Sequence, residues 1–225
     1  MKKLIIWDFD GVIADTEKLW IDTRKDLLNK YFNLNWSFDD TNKYLGGMSD
    51  ATKNDVLKKL NINVGEDFWR EAIDIDLKKL AEGVELTEGI EKIFKNCVFD
   101  QCIATGGVWA KTQLKIKAVN IAKYFDDNHV FTADMVKKGK PEPDLFLLAA
   151  QKMGYKPENC IIIEDSIAGM TAGLRAGMTV VAFLGCDMNN NKAYIQKVKD
   201  LGIKDIFFTM QDVADYLYQQ KTLND

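Results

Sequence analysis

Asp8-Phe9-Asp10-Gly11 sets two carboxylates two residues apart on a glycine turn, directly after the apolar run Leu4-Ile5-Ile6-Trp7. Thr105-Gly106-Gly107 and Glu164-Asp165 likewise follow apolar runs, and Lys140 precedes a proline-containing turn. Carboxylates gathered on one rim repel one another, and a hard divalent cation with oxygen ligands keeps them ionised. Mg²⁺ suits that donor set. With the charge balanced, one carboxylate can attack a phosphoryl group while Lys140, Thr105 and the backbone amides of Gly11 and Gly106 donate to phosphate oxygens. A helix starting near Trp109 is expected to turn its positive end toward the same anion.

Other chemistries lack their residues. His129 is the one histidine in 225 residues and has no hydroxyl or thiol motif beside it, which removes Ser-His-Asp and Cys-His catalysis. Cys97, Cys102, Cys160 and Cys186 form no C-x-x-C pair and read as reduced thiols rather than a zinc site or disulfide framework. With 30 Lys+Arg against 34 Asp+Glu, the net charge of -4 provides no basic field for nucleic acid or an anionic membrane. Asp8 stops the opening apolar run short of a signal-peptide core, and no apolar run has the roughly 18 to 20 residues that span a bilayer. The expectation is a cytoplasmic protein with no nucleic-acid or membrane partner.

The reactive residues need a frame. Residues 17–31, 50–60 and 66–80 carry apolar positions at spacings of three and four, the mark of amphipathic helices, and no strand is evident among them. From residue 88 onward helices (88–95, 108–119, 144–153, 166–176) alternate with strands (98–104, 130–131, 160–164, 179–183). Such alternation predicts an α/β fold, a Rossmann-like parallel sheet with helices on both faces. The helical block then becomes an insertion after the first strand. The expected division is a catalytic core of residues 1–14 and 84–225 and a helical cap of residues 15–83. In an open parallel sheet the binding crevice lies beyond the carboxyl ends of the strands, where Asp8, Asp10, Thr105, Glu164 and Asp165 fall.

Asp8-Phe9-Asp10-Gly11-Val12-Ile13-Ala14-Asp15-Thr16, Thr105, Lys140-Pro141-Glu142-Pro143-Asp144 and Ile163-Glu164-Asp165-Ser166-Ile167-Ala168-Gly169 resemble, in order, the four motifs of the haloacid dehalogenase-like (HAD) hydrolase superfamily. The chain is similar, more narrowly, to β-phosphoglucomutase-like phosphatases with a helical cap. That resemblance implies Asp8 as the nucleophile forming a phospho-aspartate and Asp10 as the general acid and later base. It implies Thr105 and Lys140 as phosphoryl-binding residues. It implies a Mg²⁺ held by Asp8, the Asp10 carbonyl and Asp165, with Glu164 assisting directly or through water. Glu164 has a plainer reading as a helix cap or a group that orients Lys140. Gly106-Gly107 stands where the family often carries a polar residue, which leaves phosphate binding there to backbone amides.

The same resemblance separates phosphatase from mutase. β-Phosphoglucomutase places a cap histidine where this chain has Trp20 and an arginine where it has Asp50, and an aspartate repels the distal phosphate of a bisphosphate. Hydrolysis of a small phosphate monoester, a sugar phosphate by class, is therefore expected. A phosphosugar mutase is the alternative, followed by a phospho-acceptor module or a non-catalytic binding protein. Trp20 either stacks on substrate or fills the cap core, and Lys18, Asn42 and Lys43 line the substrate side or a solvated face. The expected partner is a small phosphorylated molecule, the expected state a monomer or weak oligomer. The cap is expected to close as a lid through residues 14–15 and 83–84.

Overall fold

A computed structural model describes residues 3–46, 50–186 and 191–222, with only the backbone of 50–52 and 222. The Asp50 side chain, Gly47-Met48-Ser49 and Asn189-Asn190 lie outside the described residues. The chain divides into two compact units, residues 1–15 with 85–225, and residues 16–84.

The first unit is a six-stranded, all-parallel sheet in the order β3-β2-β1-β4-β5-β6. The strands are β1 Leu4–Trp7, β2 Asp100–Thr105, β3 Val130–Thr132, β4 Cys160–Glu164, β5 Thr179–Phe183 and β6 Ile206–Phe207. Among the described residues, six helices accompany it: α5 Ile90–Asn96, α6 Trp109–Ala118, α7 Asp144–Met153, α8 Ile167–Arg175, α9 Lys192–Asp200 and α10 Met210–Thr222. Every residue of β1 and β4 is buried, the burial that an unbroken apolar strand acquires when helices cover both faces. On one face Leu4, Ile6 and Ile162 pack with Leu145, Phe146 and Ala149 of α7 and Ala172 of α8. Elsewhere Trp7 meets Phe94 of α5 edge to face, ring centroids 5.6 Å apart. Each such aliphatic side chain withdrawn from water stabilises the fold by about 1.5–3 kcal/mol.

The approach of α8 to the sheet depends on Gly173. A methyl group there would stand 2.7 Å from Val180 Cγ2 and 2.8 Å from Ile162 Cδ1, closer than packed carbons tolerate. The bare backbone lets α8 lie against β4 and β5, and so fixes the turn between β4 and α8 that carries Glu164 and Asp165.

The second unit is built from α1 Thr16–Phe32, α2 Phe38–Leu45, α3 Asp50–Lys59 and α4 Glu66–Glu82. In α4 the buried positions Phe68, Ala72, Asp76 and Leu80 recur every four residues. That row contains a carboxylate, and α1 answers it with Arg24, itself 2% exposed, in a buried ion pair. Lys79 Nζ also donates to Thr23 Oγ1 at 3.1 Å.

Several elements depart from the sequence expectations. Helix α2 was not anticipated, although Ser37 and Asp40 form a complete capping box at its start. Beyond residue 183, where the expected alternation of helices and strands stops, the chain adds α9, β6 and α10. Strand β2 begins at Asp100 rather than residue 98, and Val98 is 60% exposed.

Candidate active site

The carboxyl ends of β1, β2 and β4 lie side by side because those strands are neighbours. Asp8 N–H donates to Ile163 C=O at 3.0 Å, extending the pairing of β1 with β4 by one step, so that the Asp8 side chain emerges where the sheet stops. Lys140 reaches the same spot. Its ammonium donates to Asp8 Oδ1 at 2.5 Å, to Glu164 Oε1 at 2.6 Å and to the Ala104 carbonyl at 3.0 Å, with only 8% of the side chain exposed. Thr105, fully buried at the end of β2, accepts the Gly107 N–H on its hydroxyl at 3.2 Å. The structure thus brings Asp8, Lys140, Glu164 and Asp165 together, with Thr105 closing the adjacent strand.

Glu164 has both oxygens engaged. Oε1 accepts from Lys140, while Oε2 accepts the Ser166 N–H at 2.8 Å and the Ser166 hydroxyl at 2.9 Å. Ser166 is the N-cap of α8, its oxygen accepting Gly169 N–H at 3.0 Å, so Glu164 ties Lys140 to the start of that helix. Tyr194 of α9 secures the same turn. Its hydroxyl donates to the Asp165 carbonyl at 2.8 Å and accepts the Ile167 N–H at 3.1 Å. Tyr194 belongs to none of the four motifs; it lies on α9, beyond the last of them.

Two expected backbone donors are used within the protein. Gly11 N–H donates to the Ala14 carbonyl at 3.0 Å, so it is not presented to a phosphate. Gly11 matters for space instead: its φ is +77°, and a side chain there would overlap the Asp165 carboxylate. At the start of α6, Trp109 N–H is taken by the Asp134 carboxylate at 3.1 and 3.3 Å, which places a protein anion where a substrate anion was expected. Trp20 lies on α1, half-buried, in the second unit.

Lys115 is the site residue that the motifs did not reveal. It lies on α6 with 4% of its side chain exposed and donates to both Asp10 oxygens, at 2.8 and 2.6 Å. In the fold Lys115 joins the buried row Thr112, Lys115, Ile116, a charged residue at a core-facing position.

Charge bears on what the cluster can hold. Burial, opposed by Lys140 and reinforced by Glu164 and Asp10, raises the Asp8 carboxyl to about 7. Burial together with Glu164, Asp8 and Asp10 raises Asp165 well above the ordinary carboxylate range. Asp8, Asp10, Glu164 and Asp165 face the ammonium groups of Lys115 and Lys140, so full ionisation leaves two negative charges over. One ligand oxygen from each of Asp8, Glu164 and Asp165 lies within 4.8 Å of the others. Hard oxygen donors this close, with a surplus of two negative charges, fit a divalent cation such as Mg²⁺.

A sequence profile of haloacid dehalogenase-like hydrolases matches residues 5–183. The chain belongs to that family. This haloacid dehalogenase-like chain is 24% identical over 198 residues to a phosphorylated carbohydrates phosphatase of Thermotoga maritima, covering 85% of this chain and 89% of the relative. It is 28% identical over 198 residues to a fructose-1-phosphate phosphatase of Escherichia coli, covering 79% and 94%. The crystal structure of a haloacid dehalogenase-like protein of Agrobacterium tumefaciens superposes with a TM-score of 0.84 at 23% identity, covering 98% of this chain and all of the other. The parallel sheet with flanking helices is therefore the fold of the family. Among the described residues no helix is long and apolar enough to cross a membrane.

Proposed function

We propose that this protein is a Mg²⁺-dependent phosphatase that hydrolyses a small phosphate monoester, a sugar phosphate by class, through a phospho-aspartate on Asp8. The observation that carries the reading is the buried Lys140 ammonium bridging Asp8 and Glu164 at the end of the central strands, with Asp165 close enough to share a cation.

In the first half-reaction an Asp8 oxygen attacks phosphorus, the P–O bond to the substrate breaks, and the departing oxygen takes a proton from Asp10 to leave as an alcohol. In the second half, Asp10 takes a proton from water as that water attacks phosphorus, releasing phosphate and restoring the Asp8 carboxylate. Lys140 and Thr105 hold and orient the transferring group. Asp8, Asp165 and the Asp10 carbonyl would hold Mg²⁺, with Glu164 acting through Lys140 and Ser166; the ion would supply charge neutralisation at the phosphoryl oxygens.

The substrate class is supported by relatives named for phosphorylated carbohydrates and fructose 1-phosphate. Those names favour a phosphatase over a phosphosugar mutase. The deciding experiment measures phosphate release from sugar, polyol, glycolate and nucleotide monophosphates, with Mg²⁺ or EDTA, for wild type and Asp8→Asn. A coupled probe for glucose 6-phosphate follows β-glucose 1-phosphate. Mg²⁺-dependent release that disappears in Asp8→Asn is expected. Isomerisation without release would establish the mutase, and release that survives Asp8→Asn would remove the phospho-aspartate.

A further inference from the structure

We propose that Lys115 is a positioning residue that holds the Asp10 carboxylate in the orientation from which it exchanges a proton with the reacting oxygen. The proposal rests on the phosphatase reading and adds to it a residue outside the four motifs.

The geometry is specific. One ammonium donates to both oxygens of one carboxylate, at 2.8 and 2.6 Å, so that Asp10 is held by two charge-assisted contacts rather than one. The lysine side chain is 4% exposed and the aspartate side chain 29%, so the pair has a dry end at Lys115 and an open end at Asp10. The ammonium also sits 4.8 Å from the centre of the Phe9 ring, a second contact that keeps it beside the Asp8-Phe9-Asp10 turn. A buried ammonium is tolerated only beside an anion, and on this side of the cluster Asp10 is that anion.

The chain makes room for this lysine. A Cβ at Gly107 would stand 3.6 Å from Lys115 Nζ, 3.6 Å from Thr105 Oγ1 and 3.2 Å from Thr112 Oγ1. A longer side chain at position 107 would contend with the ammonium for the same space. Gly107 and Lys115 thus share one packed space beside Thr105. Lys140 serves Asp8 and Glu164, and Lys115 serves Asp10, giving each of the two reacting carboxylates its own buried cation.

Lys115 could instead be a direct phosphate ligand, and leaving-group chemistry separates the roles. The p-nitrophenolate ion departs without a proton, whereas phenolate needs help, so a misplaced acid harms phenyl phosphate more than p-nitrophenyl phosphate. The test compares kcat/KM for these two esters in wild type, Lys115→Met, Lys115→Gln, Asp10→Asn and the double variant Lys115→Met/Asp10→Asn, with inhibition by inorganic phosphate alongside. The positioning role predicts that Lys115→Met lowers kcat/KM for phenyl phosphate by at least about tenfold more than for p-nitrophenyl phosphate. It predicts phosphate inhibition within about twofold of wild type and little further loss when Asp10→Asn is added. Lys115→Gln, which keeps a donor of similar reach, should recover part of the loss. Equal losses on both esters with weakened phosphate inhibition would overturn the proposal in favour of a phosphate ligand.

A second measurement does not depend on turnover. The ¹⁵N signal of the Lys115 ammonium, assigned by its loss in Lys115→Met, should shift in Asp10→Asn, and an unmoved signal would overturn the pairing. Wild type that releases no phosphate from either ester or from the sugar phosphates would sink the phosphatase reading, leaving the pairing to be decided by that signal.

Discussion

Gly169 lies where any side chain would run into the Glu164 carboxylate: the position of its absent Cβ overlaps Glu164 Oε1 and Cδ. Glu164 in turn holds Lys140 at 2.6 Å and, through Ser166, the first turn of α8. A glycine inside a helix therefore determines where the lysine of the candidate site stands.

Gly169→Ala is expected to be harmful where helix propensity alone predicts a gain of about 1 kcal/mol. Displacing Glu164 from Lys140 breaks a buried ion pair, a loss of about 3–5 kcal/mol that outweighs the propensity term. The variant should unfold at lower denaturant concentration and lose more than tenfold in kcat. Urea titration with steady-state phosphate release checks both, and a stabilised, fully active variant would refute the constraint.

Acidity and Mg²⁺ should act against each other. Asp8 has an ordinary value of 3.8 and is raised to about 7 in the fold, so the folded protein binds the extra proton between those values. Stability from this group is fully present below about pH 4 and is lost as pH rises through about 7. Asp165, raised for the same reason, adds in the same direction. In EDTA the unfolding midpoint should fall between pH 5.5 and 7.5 by more than in Mg²⁺, because the cation replaces the proton. Calorimetry should record proton release on Mg²⁺ binding and weaker binding at lower pH. Binding that is independent of pH would contradict the assignment of these carboxylates to the ion.

Tyr194→Phe removes one hydroxyl and leaves two backbone groups of the β4-α8 turn without it, the Asp165 carbonyl and the Ile167 N–H. Each unmade hydrogen bond amounts to about 1 kcal/mol. Mg²⁺ affinity should weaken by about threefold to thirtyfold, in line with the loss of a group that orients a ligand. Titration calorimetry reads it directly; unchanged affinity would mean that α9 has no part in holding the turn.

In the helical unit, Arg24→Leu should destabilise by about 3–5 kcal/mol because it breaks the buried ion pair with Asp76 from one side. The double variant Arg24→Met/Asp76→Leu should recover most of that loss, since two apolar side chains replace two charges. Denaturant titrations of both variants test the coupling, and losses that simply add would refute it.

The core of the fold and the first layer of the site were legible in the sequence for one physical reason. Buried parallel strands have to be unbroken apolar runs, and the residues that end those runs are the ones that face the crevice. Leu4 to Trp7 and Cys160 to Glu164 show it plainly. Strand β6 escaped because two half-buried residues carry no periodicity, and α2 because eight residues with a single capping box are easily read as a loop. Lys115 escaped for a different reason. Lysines at 111, 115 and 117 look alike on a charged helix, and only the fold distinguishes Lys115, 3% exposed, from the exposed Lys111 and Lys117. Gly11 was expected to lend its N–H to a ligand, whereas the loop uses that donor itself and needs the glycine for room beside Asp165.

The order of the strands also ranks the parts of the molecule by resistance to opening. The outermost strands, β3 and β6, are three and two residues long, while β1 and β4 are paired on both sides and wholly buried. Fraying begins at margins and reaches the middle of a sheet last, so amide exchange around Asp8 should approach the limit set by unfolding of the whole unit. The chemistry is thereby anchored in the slowest-opening part of the sheet. The same short margins expose few unpaired N–H and C=O groups to a neighbouring chain, which discourages edge-to-edge aggregation when the protein is concentrated.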